Sequence, residues 1–195
     1  MILYLHGFAS SGSATKAGVL RDFVLKENAV KDKNVITPDL PVEPDGAKKV
    51  ISSIIEGSTE GKIVFGSSLG GFYALHASHK YGIPCVLINP AVMAHIALET
   101  TVGIHRNFKT NEIFEFRTEY LDQLESMYNE IDFNKTDPKK TVLLLAKDDQ
   151  LLHYRKTMTF IDGKAGLVIV EDNAGHEFSK FRDVLPRVFE YLDNR

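Results

Sequence analysis

The feature that most constrains this chain is a succession of short, unbroken apolar runs separated by segments with helical spacing. The runs are Ile2-Leu3-Tyr4-Leu5, Val35-Ile36, Lys62-Ile63-Val64-Phe65, Cys85-Val86-Leu87-Ile88, Thr141 through Ala146, and Leu167-Val168-Ile169-Val170. A strand with one wet face alternates apolar and polar residues. An unbroken run suits a strand buried on both faces, as in a parallel sheet. Between the runs, residues 15–28 carry Ala17, Leu20, Val24 and Leu25 on one helical stripe. Residues 45–57 carry Val50, Ile51, Ile54 and Ile55 and close on Gly57, and residues 69–81 follow the third run directly. Residues 178–193 carry Phe178, Phe181, Val184, Leu185, Val188, Phe189 and Leu192. This alternation predicts a single α/β domain over residues 1–195, with about six mostly parallel strands and helices on both faces.

One stretch breaks the rhythm. Residues 91–140 are longer than a plain crossover needs, and Leu121, Leu124, Tyr128 and Ile131 form a helical stripe within them. The expectation is a small cap over the carboxyl ends of the strands, where binding sites of open α/β sheets lie. The whole composition is that of an ordinary globular protein, with 44% hydrophobic and 25% charged residues. A net charge of −3 carries no basic excess of the kind that marks nucleic-acid binding. The one cysteine, Cys85, sits inside an apolar run and reads as a buried thiol. The opening stretch has no basic n-region, and no run approaches the ~18 apolar residues of a membrane span. A cytoplasmic protein without a membrane span is expected.

Residues 66–70 read Gly-Ser-Ser-Leu-Gly, a G-x-S-x-G pattern centred on Ser68. It follows the third run and opens a helical segment. That strand–turn–helix setting is the one in which a serine is lifted out of a sheet as a nucleophile, and it points to an α/β-hydrolase fold. Side chains at positions 66 and 70 would crowd so tight a turn. No Lys follows the glycines, so the motif is not a Walker-type phosphate loop. Ser67 is rejected as nucleophile because it does not sit midway between the glycines. His6-Gly7-Phe8 follows the first run at once. The loop there supplies one backbone N–H to an oxyanion in this fold, and the residue after the nucleophile supplies the other. Phe8 and Leu69 are therefore the candidate oxyanion donors, and His6 reads as a residue that shapes the turn.

Ser68 needs an imidazole to take its proton. Of the seven histidines, His176 stands in the polar turn Asp172-Asn173-Ala174-Gly175-His176, after the last run and before the last helix. The orienting carboxylate belongs in the loop after the fifth run, where Asp148 and Asp149 are both candidates. Either choice gives the chain order Ser, Asp, His that this fold requires. One aspartate is expected to face His176 and the other to cap the helical segment from Gln150. The scattered histidines and lone cysteine offer no metal-ligand spacing, so no metal and no cofactor are expected.

Taken together these residues resemble the bacterial UPF0227 esterase family, the YqiA-like proteins. The matching stretches are Tyr4 through Ser11, Lys16-Ala17, Gly66 through Ala74, Asn89-Pro90-Ala91-Val92, Asp149 with Tyr154-Arg155, and Gly175-His176-Glu177-Phe178. The resemblance implies esterase activity and favours Asp149 over Asp148, because the family's acidic residue lies five positions before the Tyr-Arg pair. The family often has Gly where this chain has Asp148, and residues 95–138 match least. The expected reaction is hydrolysis of an ester or thioester of a small or medium acyl group. The rivals are a peptidase or acyltransferase on the same fold, and a degenerate hydrolase that only binds a ligand or a protein.

Overall fold

The structure, a computed structural model, describes residues 1–26, 34–161 and 163–194. Six strands form one sheet: β1 (Ile2–Leu5), β2 (Val35–Ile36), β3 (Ile63–Ser67), β4 (Cys85–Ile88), β7 (Thr141–Ala146) and β8 (Leu167–Glu171). Their spatial order is β2-β1-β3-β4-β7-β8, and every neighbouring pair is parallel. The two intervening strands, β5 (Gly103–Arg106) and β6 (Ile113–Phe116), form a separate antiparallel hairpin.

Successive residues of a strand point to opposite faces, and here each face has its own core. Ile2, Tyr4, Ile63, Phe65, Val86, Ile88, Val142 and Leu144 join one core with α1 (Thr15–Lys26) and α7 (Phe181–Asp193). Leu3, Leu5, Val64, Cys85, Leu87, Leu143 and Leu145 join the other. That second core also takes in α2 (Pro44–Glu56), α3 (Leu69–Tyr81), α4 (Ala94–Ala97), α5 (Thr118–Asn129) and α6 (Tyr154–Ile161). The double burial explains why the strand sequences are apolar at nearly every position, with Thr141, Ser67 and Glu171 only at strand ends. Cys85 is fully buried in this layer, and that burial pushes its thiol up to about 11.

The expected helices are present, with adjusted ends. The first was expected over 15–28, and its last two positions lie outside the described residues. The last was expected from 178 but starts at Phe181. Phe178 still contributes a fully buried ring, from a loop position at φ 49°.

Residues 91–140 hold α4, the β5–β6 hairpin and α5. The apolar stripe read from the sequence lies on α5 and just beyond it, with Leu124 and Ile131 buried. The hairpin was not foreseen. Its inward face carries His105, Phe114 and Phe116, which meet the Phe8 ring edge-on at 5.0, 5.6 and 5.2 Å.

Connectivity decides where a site can form. The chain leaves β1 for β2 on one side, then returns across β1 to build β3 on the other. This reversal opens a crevice at the carboxyl ends of β1 and β3, the usual ligand position in such sheets. His6, Gly7 and Phe8 extend from one of those ends and Ser68 from the other.

Candidate active site

β3 ends at Ser67 and α3 begins at Leu69, so Ser68 alone makes the turn between them. Its backbone sits at φ 55°, ψ −118°, a strained conformation for a residue with a side chain, costing on the order of 1–3 kcal/mol. Hydrogen bonds hold it there. The Ser68 N–H donates to Ile88 O (3.0 Å), and Ser68 O accepts from Gly71 N (2.9 Å) and Ala91 N (3.0 Å). The glycines allow the close approach this requires. A β-carbon on Gly66 would collide with the Gly70 carbonyl, and one on Gly70 with the carbonyls of Leu5 and His6. Ser67 is the last residue of β3 and is buried.

The loop after β1 lies directly against this turn, since a β-carbon on Gly7 would come within 3.3 Å of Ser68 Cβ. Among the described residues, neither the Phe8 N–H nor the Leu69 N–H donates to a protein acceptor. Two backbone donors therefore border the serine. His6 shapes this loop. Burial pushes its pKa down, which keeps the ring neutral. Its Nδ1 lies 2.8 Å from Gly7 O and its Nε2 accepts from Leu40 N (3.0 Å). Those partners assign the proton to Nδ1.

His176 follows β8 and Asp149 follows β7. The His176 Nδ1–H donates to Asp149 Oδ2 at 2.9 Å. The other carboxylate oxygen accepts from Leu151 N (2.8 Å) and Leu152 N (2.9 Å). Burial pushes the Asp149 carboxyl up, but the hydrogen bonds from His176, Leu152 and Leu151 outweigh it and hold the group below its ordinary range. Asp149 therefore both faces the imidazole and caps the turn that follows it. Asp148 was expected to be that cap and is not. Its carboxylate accepts from Ala174 N (3.0 Å) and Gly175 N (3.2 Å), and these bonds hold it low.

The loop bearing His176 has no strand or helix of its own, and side chains from elsewhere fix it. Asn89, at the end of β4, donates from Nδ2 to Gly175 O (3.0 Å) and His176 O (2.9 Å), while its Oδ1 accepts from Ala146 N (2.8 Å). Lys16 on α1 is buried and donates to both Glu177 O and Glu177 Oε2, each at 2.7 Å. Ser68 Oγ makes no hydrogen bond to His176 among the described residues. Bonds of that kind often tighten only with substrate in place. Backbone strain gathers around these loops: Ala9, Ser68, Asn89, Asn173 and Phe178 all have positive φ.

A family model described as "Uncharacterised protein family (UPF0227)" matches residues 1–193. The chain belongs to the UPF0227 family. A UPF0227 protein of Vibrio parahaemolyticus is 24% identical over 193 residues, 98% of each chain. One of Vibrio vulnificus is 21% identical over 195 residues, covering 100% of this chain and 99% of its own. Among solved structures, Est1E from Butyrivibrio proteoclasticus superposes with a TM-score of 0.71 at 11% identity, covering 99% of this chain and 86% of its own. A monoacylglycerol lipase from Paleococcus ferrophilus gives 0.69 at 16% identity, covering 99% and 93%. These likenesses establish the α/β-hydrolase fold.

In this UPF0227 protein the other histidines lie apart from the crevice or serve its walls. His76 on α3 is buried and pairs with Glu130 Oε2 at 2.7 Å, and Lys48 reaches the other oxygen of that carboxylate at 2.5 Å. The His95 ring lies tilted against Tyr128, and the His153 ring stacks on Tyr154. The described residues hold no cluster of three or more His, Cys, Asp or Glu able to grip a metal ion. No described helix is long and apolar enough to cross a membrane. The sequence reading named Asn89 and Lys16 only as parts of matching stretches. Their contacts span 57 to 161 residues of chain, and no local pattern announces them.

Proposed function

We propose that this protein is a serine hydrolase that cleaves carboxylic ester or thioester bonds. The observation that carries the reading is the 2.9 Å hydrogen bond from His176 Nδ1 to the buried Asp149 carboxylate, on loops that flank a serine held at positive φ. In this reading Ser68 Oγ attacks the substrate carbonyl carbon and its proton passes to His176 Nε2. The carbonyl oxygen becomes an oxyanion that accepts from the Phe8 and Leu69 N–H groups, each such donor being worth ~3 kcal/mol to the barrier. Collapse breaks the bond to the leaving oxygen or sulfur, which takes the proton from Nε2. Water then attacks the acyl-serine, gives a proton to His176, and releases the carboxylic acid and free Ser68. Asp149 stays ionised throughout and stabilises the imidazolium.

The fold likeness to Est1E and to the monoacylglycerol lipase supports ester chemistry, and Est1E has also been solved with ferulic acid bound. Residues 91–140 act in this reading as a small cap within a single domain. Two contacts support that role: Phe108 N donates to Ala9 O and Asn107 Nδ2 to Ser10 O, each at 2.8 Å, tying the hairpin to the loop after β1. Hydrolysis of p-nitrophenyl butanoate tests the proposal. Ser68→Ala should lose activity by more than a thousandfold with the fold intact. Ser67→Ala should stay within about tenfold, or ~1.4 kcal/mol in barrier. If Ser67→Ala is the inactive variant, the nucleophile has been misassigned.

A further inference from the structure

Among the described residues, five of the eight exposed large hydrophobic side chains lie between residues 96 and 113: Ile96, Val102, Ile104, Phe108 and Ile113. Single exposed apolar residues need no explanation, but a cluster of them marks an interaction surface. This cluster centres on the β5–β6 hairpin. The hairpin's inner face, with His105, Phe114 and Phe116, is turned to Phe8. Alternate residues point the other way. There Ile104 is 77% and Ile113 68% exposed, with Arg106 and Glu115 exposed beside them.

The strand register arranges these four side chains. Ile104 stands opposite Glu115, and Ile113 opposite Arg106. The two isoleucines therefore occupy one diagonal of a four-residue block, and Arg106 and Glu115 occupy the other. Diagonal neighbours on a sheet face lie only ~7–8 Å apart. A two-fold axis along the isoleucine diagonal turns this block onto itself. Ile104 then packs on the partner's Ile104, and Ile113 on the partner's Ile113. Each Arg106 meets the partner's Glu115, which gives two ion pairs. Both charges are available for this. Among the described residues no acid pairs with Arg106. Glu115 accepts from Arg117 through Oε2 at 3.1 Å, and a carboxylate has sites for further donors.

We propose that the outer face of the β5–β6 hairpin binds a second copy of this chain about that two-fold axis. Self-complementarity of this kind is what an isologous two-fold interface requires. An anionic lipid surface would instead select basic residues alone, and Glu115 sits in the middle of the face. A standard interface uses ~20–30 residues a side, more than one hairpin offers, so the dimer belongs to the weak, concentration-dependent class. The inference is independent of the hydrolase reading.

Analytical ultracentrifugation of the full chain between about 5 and about 500 µM tests it, a range in which a weak dimer populates both states. The dimer fraction should rise with concentration. Ile104→Ser and Ile113→Ser should each raise the dissociation constant at least about tenfold with an unchanged circular dichroism spectrum. Leu25→Ser, at an exposed apolar position on α1, should leave it unchanged. R106E and E115R should each weaken self-association by about tenfold or more, and an equimolar mixture of the two should recover it, because each charge then meets its opposite. A parent chain that stays monomeric across the range overturns the proposal. If that monomer also sediments with vesicles of phosphatidylcholine and phosphatidylglycerol, the face belongs to lipid instead. A dimer that survives both Ile104→Ser and Ile113→Ser overturns the proposal as well. Charge variants that dimerise as the parent does, or a mixture that fails to recover the affinity, overturn the two-fold pairing.

Discussion

The turn that holds Ser68 and the loop that holds His176 face each other across one crevice, yet they are built in opposite ways. The serine turn is a backbone device. Its geometry follows from a strand end, a helix start and glycines that admit carbonyls where a β-carbon would collide. Apart from the Ala91 N–H just beyond β4, everything it needs lies between residues 63 and 72 and in the strands alongside. The histidine loop is a side-chain device. Residues 172–180 form no strand or helix, and their backbone groups are held by Asp148, Asn89 and Lys16 from three other parts of the chain. A backbone device fails when bulk is added to it. A side-chain device fails when a distant polar group is removed.

The largest effect should come where the two devices meet in chemistry. Asp149→Asn keeps an oxygen to accept from Leu151 and Leu152 but weakens its hold on the imidazolium. Its kcat on p-nitrophenyl butanoate should fall at least a hundredfold (~2.7 kcal/mol in barrier), and by up to ~10⁴-fold on the serine-protease precedent. Its melting temperature should change little. A loss under tenfold would remove Asp149 from the mechanism.

Next comes the serine turn itself. Gly70→Ala drives a methyl group into the carbonyls of Leu5 and His6. Overpacking of this kind costs ~1–3 kcal/mol or more, which lowers the melting temperature by roughly 2–12 °C in a domain of this size. Thermal unfolding followed by circular dichroism measures it. An unchanged melting temperature would mean that the turn tolerates bulk and is not the tight backbone device described.

Asn89→Ala probes the opposite device. It leaves the Ala146 N–H and the Gly175 and His176 carbonyls without their partner, and each unsatisfied buried group costs ~1–3 kcal/mol. Both the melting temperature and kcat should fall, with kcat down at least about tenfold because His176 loses its anchor. A variant that is less stable but equally fast would make Asn89 a fold residue only. Asp148→Asn should do less, since the amide oxygen still accepts from Ala174 and Gly175. Its kcat should stay within about tenfold.

The smallest effect is in pH. The Asp149 carboxyl is held below its ordinary range. Its contribution to stability is therefore complete above the unfolded-state value of ~3.9 and fades as pH falls through the lower folded value. Between pH 6 and pH 3 the parent protein should lose more of its melting temperature than Asp149→Asn does. Equal losses would show that the carboxylate gains nothing on folding.

What could be read in the sequence divides along the same line. The sheet was legible because strands buried on both faces are apolar along nearly their whole length, and the G-x-S-x-G turn because its constraints are local. The β5–β6 hairpin escaped notice because only its His105, Phe114 and Phe116 face inward, while Ile104 and Ile113 are exposed and blur the alternation. The short pattern Ile113-Phe114-Glu115-Phe116 was the available signal. The helical segment expected from Gln150 starts only at Tyr154, as α6, whose eight residues bury only Thr157 and Ile161 and so give little stripe to place its start. Of the adjacent aspartates, the residues alone fixed neither role. Asp148 was expected as a helix cap and instead holds the histidine loop, a contact across 26 residues that leaves no trace in local composition.

The central claim is that Ser68 is a nucleophile activated by His176 and Asp149, and covalent labelling tests it most directly. The protein is incubated with a fluorophosphonate and the adduct located by peptide mass spectrometry. One adduct should form at Ser68, be absent in Ser68→Ala, and form at least a hundredfold more slowly in Asp149→Asn and His176→Ala. An adduct on Ser67 or elsewhere, or labelling of Ser68 at the same rate in all three proteins that retain it, would contradict the account.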